Sequence, residues 1–134
     1  QFGTGASFGF SPATRAGGVT PAADPHLPQP LWFKDYAVDV EQADPDSMLA
    51  LYRAALAIRQ ESLTATRDTT AEQVDMGDDV VAYTRAAVGG RVFTSITNFG
   101  NAPVALPDGS VVLASGPLTP EGQLPTDTSA WVIQ

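Results

Sequence analysis

Few residues of this 134-residue chain are of types that do chemistry, and they set the first limits. It has no cysteine and a single histidine, His26. The absence of Cys excludes disulfides, thiolate metal sites and cysteine nucleophiles. Without a second His or a Cys, His26 completes no transition-metal set, and without a positioned serine it completes no triad; it reads as a loop side chain among prolines. Asp75, Asp78 and Asp79 around Gly77 carry the right atoms for calcium. Such a site needs about six to eight oxygens at ordered spacing. The EF-hand spacing is not met, so the group reads as a polar turn before a strand. Asp35, Asp39, Glu41, Asp44 and Asp46 cluster ahead of a helix, where dipole and capping alone favour acids. Gly17-Gly18 and Gly89-Gly90 have neither a flanking Lys-Ser/Thr nor a strand-to-helix context, so they make no phosphate cradle. Trp32 and Trp131 have faces on which a sugar can stack. Trp131, in an apolar run, reads as core. Trp32, in a loop, is open to both readings.

Fifteen acids against seven bases give a net charge of −8. That balance offers no cationic face to a phosphate backbone or an anionic bilayer, so nucleic acid and membrane are excluded as expected partners. No apolar run approaches the ~18 residues of a membrane span, and the first residues have no signal-peptide pattern. A hydrophobic content of 43% is ordinary for a folded domain with a core. The lack of Cys fits a reducing compartment, and a cytoplasmic location is expected.

The elements that must position these groups fall into two halves. Residues 1–31 are rich in Gly, Pro, Ala, Ser and Thr and show no period. Phe2, Phe8 and Phe10 make a free linker costly, so this loop is expected to drape over a surface. A Pro- and aromatic-rich stretch, Pro25-His26-Leu27-Pro28-Gln29-Pro30-Leu31-Trp32-Phe33, leads through Ala43-Asp44-Pro45-Asp46-Ser47 into one strong helix. Asp44 is the expected N-cap, with Pro45 at the first helical position. At about 100° per residue, Met48, Leu49, Leu51, Tyr52, Ala55, Leu56, Ile58 and Leu63 fill half the circumference. That width is expected for a helix held between two bodies. Arg59 falls near the middle of the arc, where a buried guanidinium needs a partner, and a structural ion pair at the helix end is the expected one.

From residue 69 the signals are those of strands. Val80 to Ala87 and Arg91 to Phe99 are joined by Gly89-Gly90, a two-residue hairpin signature. Ala102 to Leu106 and Ser110 to Ala114 flank the turn Pro107-Asp108-Gly109. Ser129 to Ile133 makes a last strand, and Thr69 to Asp75 supplies one more. Short strands at this spacing predict a small antiparallel β-sandwich. One helix with a strand-only tail and no starting Met is expected at the end of a larger protein.

The order Gly9-Phe10-Ser11, Leu27-Pro28-Gln29-Pro30, Trp32-Phe33, Ala43-Asp44-Pro45-Asp46-Ser47 and Leu51-Tyr52-Arg53 through Leu56-Ala57-Ile58-Arg59 resembles a family pattern. It is similar to the C-terminal part of bacterial α-glucosidases and oligo-1,6-glucosidases of the α-amylase superfamily (glycoside hydrolase family 13). Asn98-Phe99 and the late Trp131 extend the likeness over essentially the whole chain. The resemblance implies an α+β fragment: the end of a (β/α)8 barrel, with its long loop and last helix in residues 1–66, followed by an antiparallel β-sandwich in residues 67–134. It implies residues 1–43 as the excursion after the eighth strand, on the active-site side.

Family members hydrolyse α-glucosidic bonds with retention. An Asp attacks the anomeric carbon, a Glu protonates the leaving oxygen, and a second Asp binds sugar hydroxyls; the two working carboxyls lie about 5–5.5 Å apart. The resemblance places all of these upstream of Gln1, and no acid here stands in the matching motif. The expected site therefore has no catalytic residue, metal ligand or cofactor. Phe2 and Trp32 are the substrate-rim candidates, and the upstream barrel is the expected partner, holding the oligosaccharide. Relatives often carry Trp at the positions of Phe2 and His26, so substrate preference does not transfer. The alternative expectation is a free-standing carbohydrate-binding or barrel-docking module without catalysis.

Overall fold

Ser47, not Asp44, opens the long helix. In the computed structural model, which describes residues 30–64, 66 and 69–134, the Asp44 carboxylate takes the Asp46 N–H at 2.9 Å. This Asx turn holds Asp44, Pro45 and Asp46 outside the helix. The Ser47 Oγ then accepts the Ala50 N–H at 3.2 Å, and the Ser47 carbonyl accepts the Leu51 N–H at 3.0 Å. Those are the two bonds of an N-cap. The Ser47 hydroxyl also donates to the Glu41 carbonyl at 2.6 Å, which ties the cap to the preceding element. Pro45 therefore sits in the turn and not at the first helical position.

The chain divides into two compact units, Gln1–Arg53 and Ala54–Gln134. The first has a 3₁₀ helix over Leu31–Tyr36, a short helix α1 over Val38–Ala43, and the start of α2, which spans Met48–Leu63. Six residues are too few for a period to show, which is why α1 is not legible in the sequence.

Only part of the apolar arc of α2 is covered. Leu51, Ala55 and Ile58 are partly buried and Ser62 is buried. Met48, Tyr52 and Leu56, four residues apart on one line, are 58%, 63% and 59% exposed. Arg59 lies on that same exposed line and is itself exposed. The expected burial of Arg59 is thus not met among the described residues: the arc has two sides, and the side bearing Arg59 faces out.

The second unit is built on one five-stranded antiparallel sheet: β1 Glu72–Val74, β2 Val80–Ala86, β3 Val92–Asn98, β4 Ser110–Ala114 and β5 Thr128–Ile133. The spatial order is β1-β2-β3-β5-β4, so the last strand inserts between β3 and β4. The β2–β3 connection is a three-residue turn, Val88–Gly90, closed by the Ala87 N–H to Arg91 carbonyl bond at 2.8 Å. Gly89 and Gly90 both have positive φ, 80° and 73°. The glycines therefore mark the turn, but it is one residue longer than a two-residue hairpin.

Strict alternation gives the sheet two working faces. On one, Val80, Ala82, Ile96, Ala130 and Val132 pack with Leu124 under Met76, Val104, Leu106 and Leu118. This covering layer is made of loops. Its one ladder contact is an isolated bridge between Val104 and Leu124, where a strand over Ala102 to Leu106 is expected from sequence. Among the described residues, then, a sheet with a loop lid stands where a two-sheet sandwich is expected; the prolines at 103, 107, 117, 120 and 125 remove N–H donors that a second ladder would need. On the other face Phe93 and Ile133 pack with Ala87, Val112 and Trp131 beneath Ile58 and Leu63 of α2. A bulge between Val111 and Leu113 turns Val112 toward that cluster.

Candidate functional site

Pro30 starts the 3₁₀ helix that carries the aromatic residues, its carbonyl accepting the Phe33 N–H at 3.0 Å. Trp32 lies edge-to-face with Phe33 at 4.5 Å between ring centroids and with Tyr36 at 5.9 Å. Trp32 is 58% and Tyr36 62% exposed, while Phe33 is partly buried. Perpendicular packing holds the rings while leaving apolar ring surface in solvent, and such a surface can meet the C–H face of a sugar. Tyr36 is not singled out by sequence; its ring contact with Trp32 brings it into view. Phe2 and His26, with Phe8 and Phe10, lie outside the described residues.

Trp131 is different. It is partly buried, with its ring 5.2 Å from Phe93 at 64°, in the cluster beneath α2. Position 131 serves packing, as the apolar run around it predicts.

Of the acids around Gly77, Asp75 turns its carboxylate to the backbone. Asp75 Oδ1 accepts the Gly77 N–H at 3.1 Å, the Gly77 carbonyl accepts the Val80 N–H at 3.1 Å, and the Asp79 carbonyl accepts the Phe99 N–H at 2.8 Å. Together they enter β2 and pin it to the end of β3. Among the described residues no group of three or more His, Cys, Asp or Glu is placed to hold a metal ion. Next to them, Asn98 is fully buried and polar. Its Nδ2 donates to the Ala102 and Leu124 carbonyls at 2.9 and 3.1 Å, and its Oδ1 accepts the Gly100 N–H at 2.9 Å. All three of these bonds go to main chain, so Asn98 organises loops.

A shallow depression of about 310 Å³ at the open end of β1–β2–β3 is lined by Glu72, Thr84, Arg85, Arg91 and their neighbours. The Arg91 Nε is held by the Val88 carbonyl at 3.0 Å. Among the described residues, the first unit carries an aromatic corner, and the second a packed sheet and an Asp75 carboxylate spent on main chain.

No protein-family model matches the chain, and no curated protein matches it. Solved structures do. The trehalulose synthase MutB from Pseudomonas mesoacidophila MX-45 matches over 95% of this chain at 24% identity, with a TM-score of 0.65. A MutB mutant from crystals soaked with trehalulose matches over 95% at 25% identity and 0.64. A putative alpha amylase from Salmonella typhimurium matches over 76% at 19% identity and 0.53. The chain shares the fold of part of these enzymes. The matched part is small: this chain spans 25%, 24% and 17% of those chains. No helix of the described residues is long and apolar enough to cross a membrane.

Proposed function

We propose that these 134 residues are the C-terminal part of a retaining α-glucosidase of the α-amylase superfamily. In this reading the division falls at residues 66 and 67: α2 is the last helix of a (β/α)8 barrel, and the sheet is the appended domain. The carboxylates that cleave α-glucosidic bonds in malto- or isomalto-oligosaccharides lie on strands upstream of Gln1. The described residues close the barrel and stabilise it.

The observation that carries this reading is the half-covered helix. Met48, Tyr52 and Leu56 are each more than half exposed, while Ile58 and Leu63 pack on the sheet. Fully burying a side chain of this size stabilises by about 1.5–3 kcal/mol, so three left open on one line ask for a partner. The match to about a quarter of a longer enzyme, over nearly the whole of this chain, supports the same partner. Trp32, with Phe2, is assigned to the substrate rim, and Tyr36 joins it on the strength of its ring contact.

The test is activity of the longer natural polypeptide on p-nitrophenyl α-glucoside, maltose and isomaltose. Hydrolysis with retention supports the reading. A Trp32→Ala variant is then expected to raise KM for oligosaccharides with little change in kcat. A second reading, a free-standing sugar-binding module, is favoured by the exposed aromatic corner alone. Saturable quenching of Trp fluorescence by maltooligosaccharides in the 134-residue chain, lost in Trp32→Ala, would support it.

A further inference from the structure

We propose that the Asp108–Gly109 peptide, in the turn before β4, is a modification site: it isomerises spontaneously to isoaspartate, with water as the only co-reactant.

The reaction brings together a carboxyl, the N–H of the residue that follows it, and room for a five-membered ring. The Gly109 nitrogen attacks Asp108 Cγ. The N–Cγ bond forms, and the amide proton leaves with the carboxyl hydroxyl as water. Water then adds to the main-chain carbonyl of this succinimide, and the original C–N bond breaks. The main chain now runs through Cγ, one methylene longer, and the former main-chain carbonyl is a free carboxylate. No oxidant or reductant enters the balance.

The fold leaves the reacting atoms of this pair open. Asp108 and Gly109 are both exposed. Among the described residues no hydrogen bond engages the Gly109 N–H or the Asp108 carboxylate. The bond that does reach Asp108 is at its main-chain carbonyl, which accepts the Gln134 Nε2 at 2.6 Å. Glycine has no Cβ to obstruct ring closure, and no other aspartate of the sequence is followed by glycine.

Other turn aspartates are placed differently. Asp44 precedes Pro45, which has no N–H to attack with. After Asp46, the Ser47 N–H is bonded to the Asp44 carbonyl at 3.2 Å; after Asp79, the Val80 N–H is bonded to the Gly77 carbonyl at 3.1 Å. The Asp75 carboxylate is itself held by the Gly77 N–H at 3.1 Å.

The product does not fit where the aspartate does. Gly109 passes so close to β5 that a Cβ on it would lie 2.7 Å from the Ile133 carbonyl oxygen. A methylene inserted into the main chain just before it displaces that approach. Ser110, the next residue, makes the first pair of β4 with Ile133 of β5. The acceptor of the Gln134 amide also leaves the main chain. β4 is an edge strand, paired on one side. It is therefore expected to loosen from this end, along with Val112, which packs on the Phe93 and Ile133 cluster.

The test ages the natural polypeptide at neutral pH beside an Asp108→Glu variant, whose longer side chain cannot close the five-membered ring. Isoaspartate is tagged with isoaspartyl methyltransferase and a labelled methyl donor and located by peptide mass, while β4 is followed by hydrogen exchange. The expected result is label accumulating at position 108 several-fold faster than at 44, 46, 75 or 79, and none at 108 in the Asp108→Glu variant. The isoaspartate-bearing protein should exchange faster over Ser110–Ala114. Absence of label at 108 in the folded protein would overturn the proposal; a synthetic peptide of residues 105–111 aged in parallel shows that the assay detects the product. Equal label at 46 or 79 would overturn the selection by hydrogen bonding. Label at 108 with unchanged exchange over β4 would overturn the structural consequence.

Discussion

Asn98 and Leu124, twenty-six residues apart in sequence, are joined by the Asn98 amide donating to the Leu124 carbonyl at 3.1 Å inside the protein. Leu124 itself is fully buried at the centre of the main core and bridges Val104. One side chain thus fixes the end of β3, the loop at Ala102 and the lid that seals the core. Asn98→Ala leaves two carbonyls and the Gly100 N–H to find other partners. It is expected to lower stability by about 3 kcal/mol. Urea unfolding followed by Trp fluorescence checks this, and a loss below about 1 kcal/mol would show that the loops have other anchors.

Gly109 makes the approach between β4 and the chain end possible. A Cβ there would lie 2.7 Å from the Ile133 carbonyl oxygen and 2.8 Å from Val132 Cγ1, at φ +137°. Gly122 also has positive φ, +76°, but open space around it. Gly109→Ala is expected to cost at least about 3 kcal/mol, and Gly122→Ala about 1–2 kcal/mol, the penalty of a left-handed conformation alone. Thermal melts of the two variants should separate clearly in that order.

Capping gives a third comparison. Ser47→Ala removes the acceptor for the Ala50 N–H and the donor to Glu41, so about 1 kcal/mol and part of the first turn should be lost. Asp44→Ala removes only an exposed Asx-turn bond and should cost less. Equal effects in circular dichroism melts would mean that Asp44 shares the capping.

These contacts also explain what sequence makes legible. α2 is readable because apolar residues recur at helical spacing for sixteen residues, and β2 and β3 because β-branched and aromatic residues are concentrated in them between glycines. The cap is misread because Asp44, Asp46 and Ser47 are all good capping types within four residues; only the local bonds choose among them. The order β3-β5-β4 is invisible because β5 reaches its place through a long connection with no local pattern. The lid is misread as a strand because Val104 alternates correctly, while the prolines beside it deny a ladder. Of the candidate site, Trp32 is legible as an aromatic residue in a loop, but Tyr36 appears only once the ring contact is seen.

The open side of α2 separates the isolated chain from the longer protein. Leu56→Ser should barely move the melting of the 134-residue chain, because Leu56 is already 59% exposed. In the longer polypeptide the same change should cost about 2 kcal/mol or more, because a buried contact is lost. Equal small effects in both would leave the face without its barrel.

The most direct test of the central claim is the mass of the natural product, detected in its source cells with an antibody raised to the sheet unit. The account expects a band several times larger than 14.0 kDa, consistent with matched chains about four times as long, and α-glucosidase activity that co-purifies with it. A single band at the mass of the 134-residue chain, with no such activity, would contradict it.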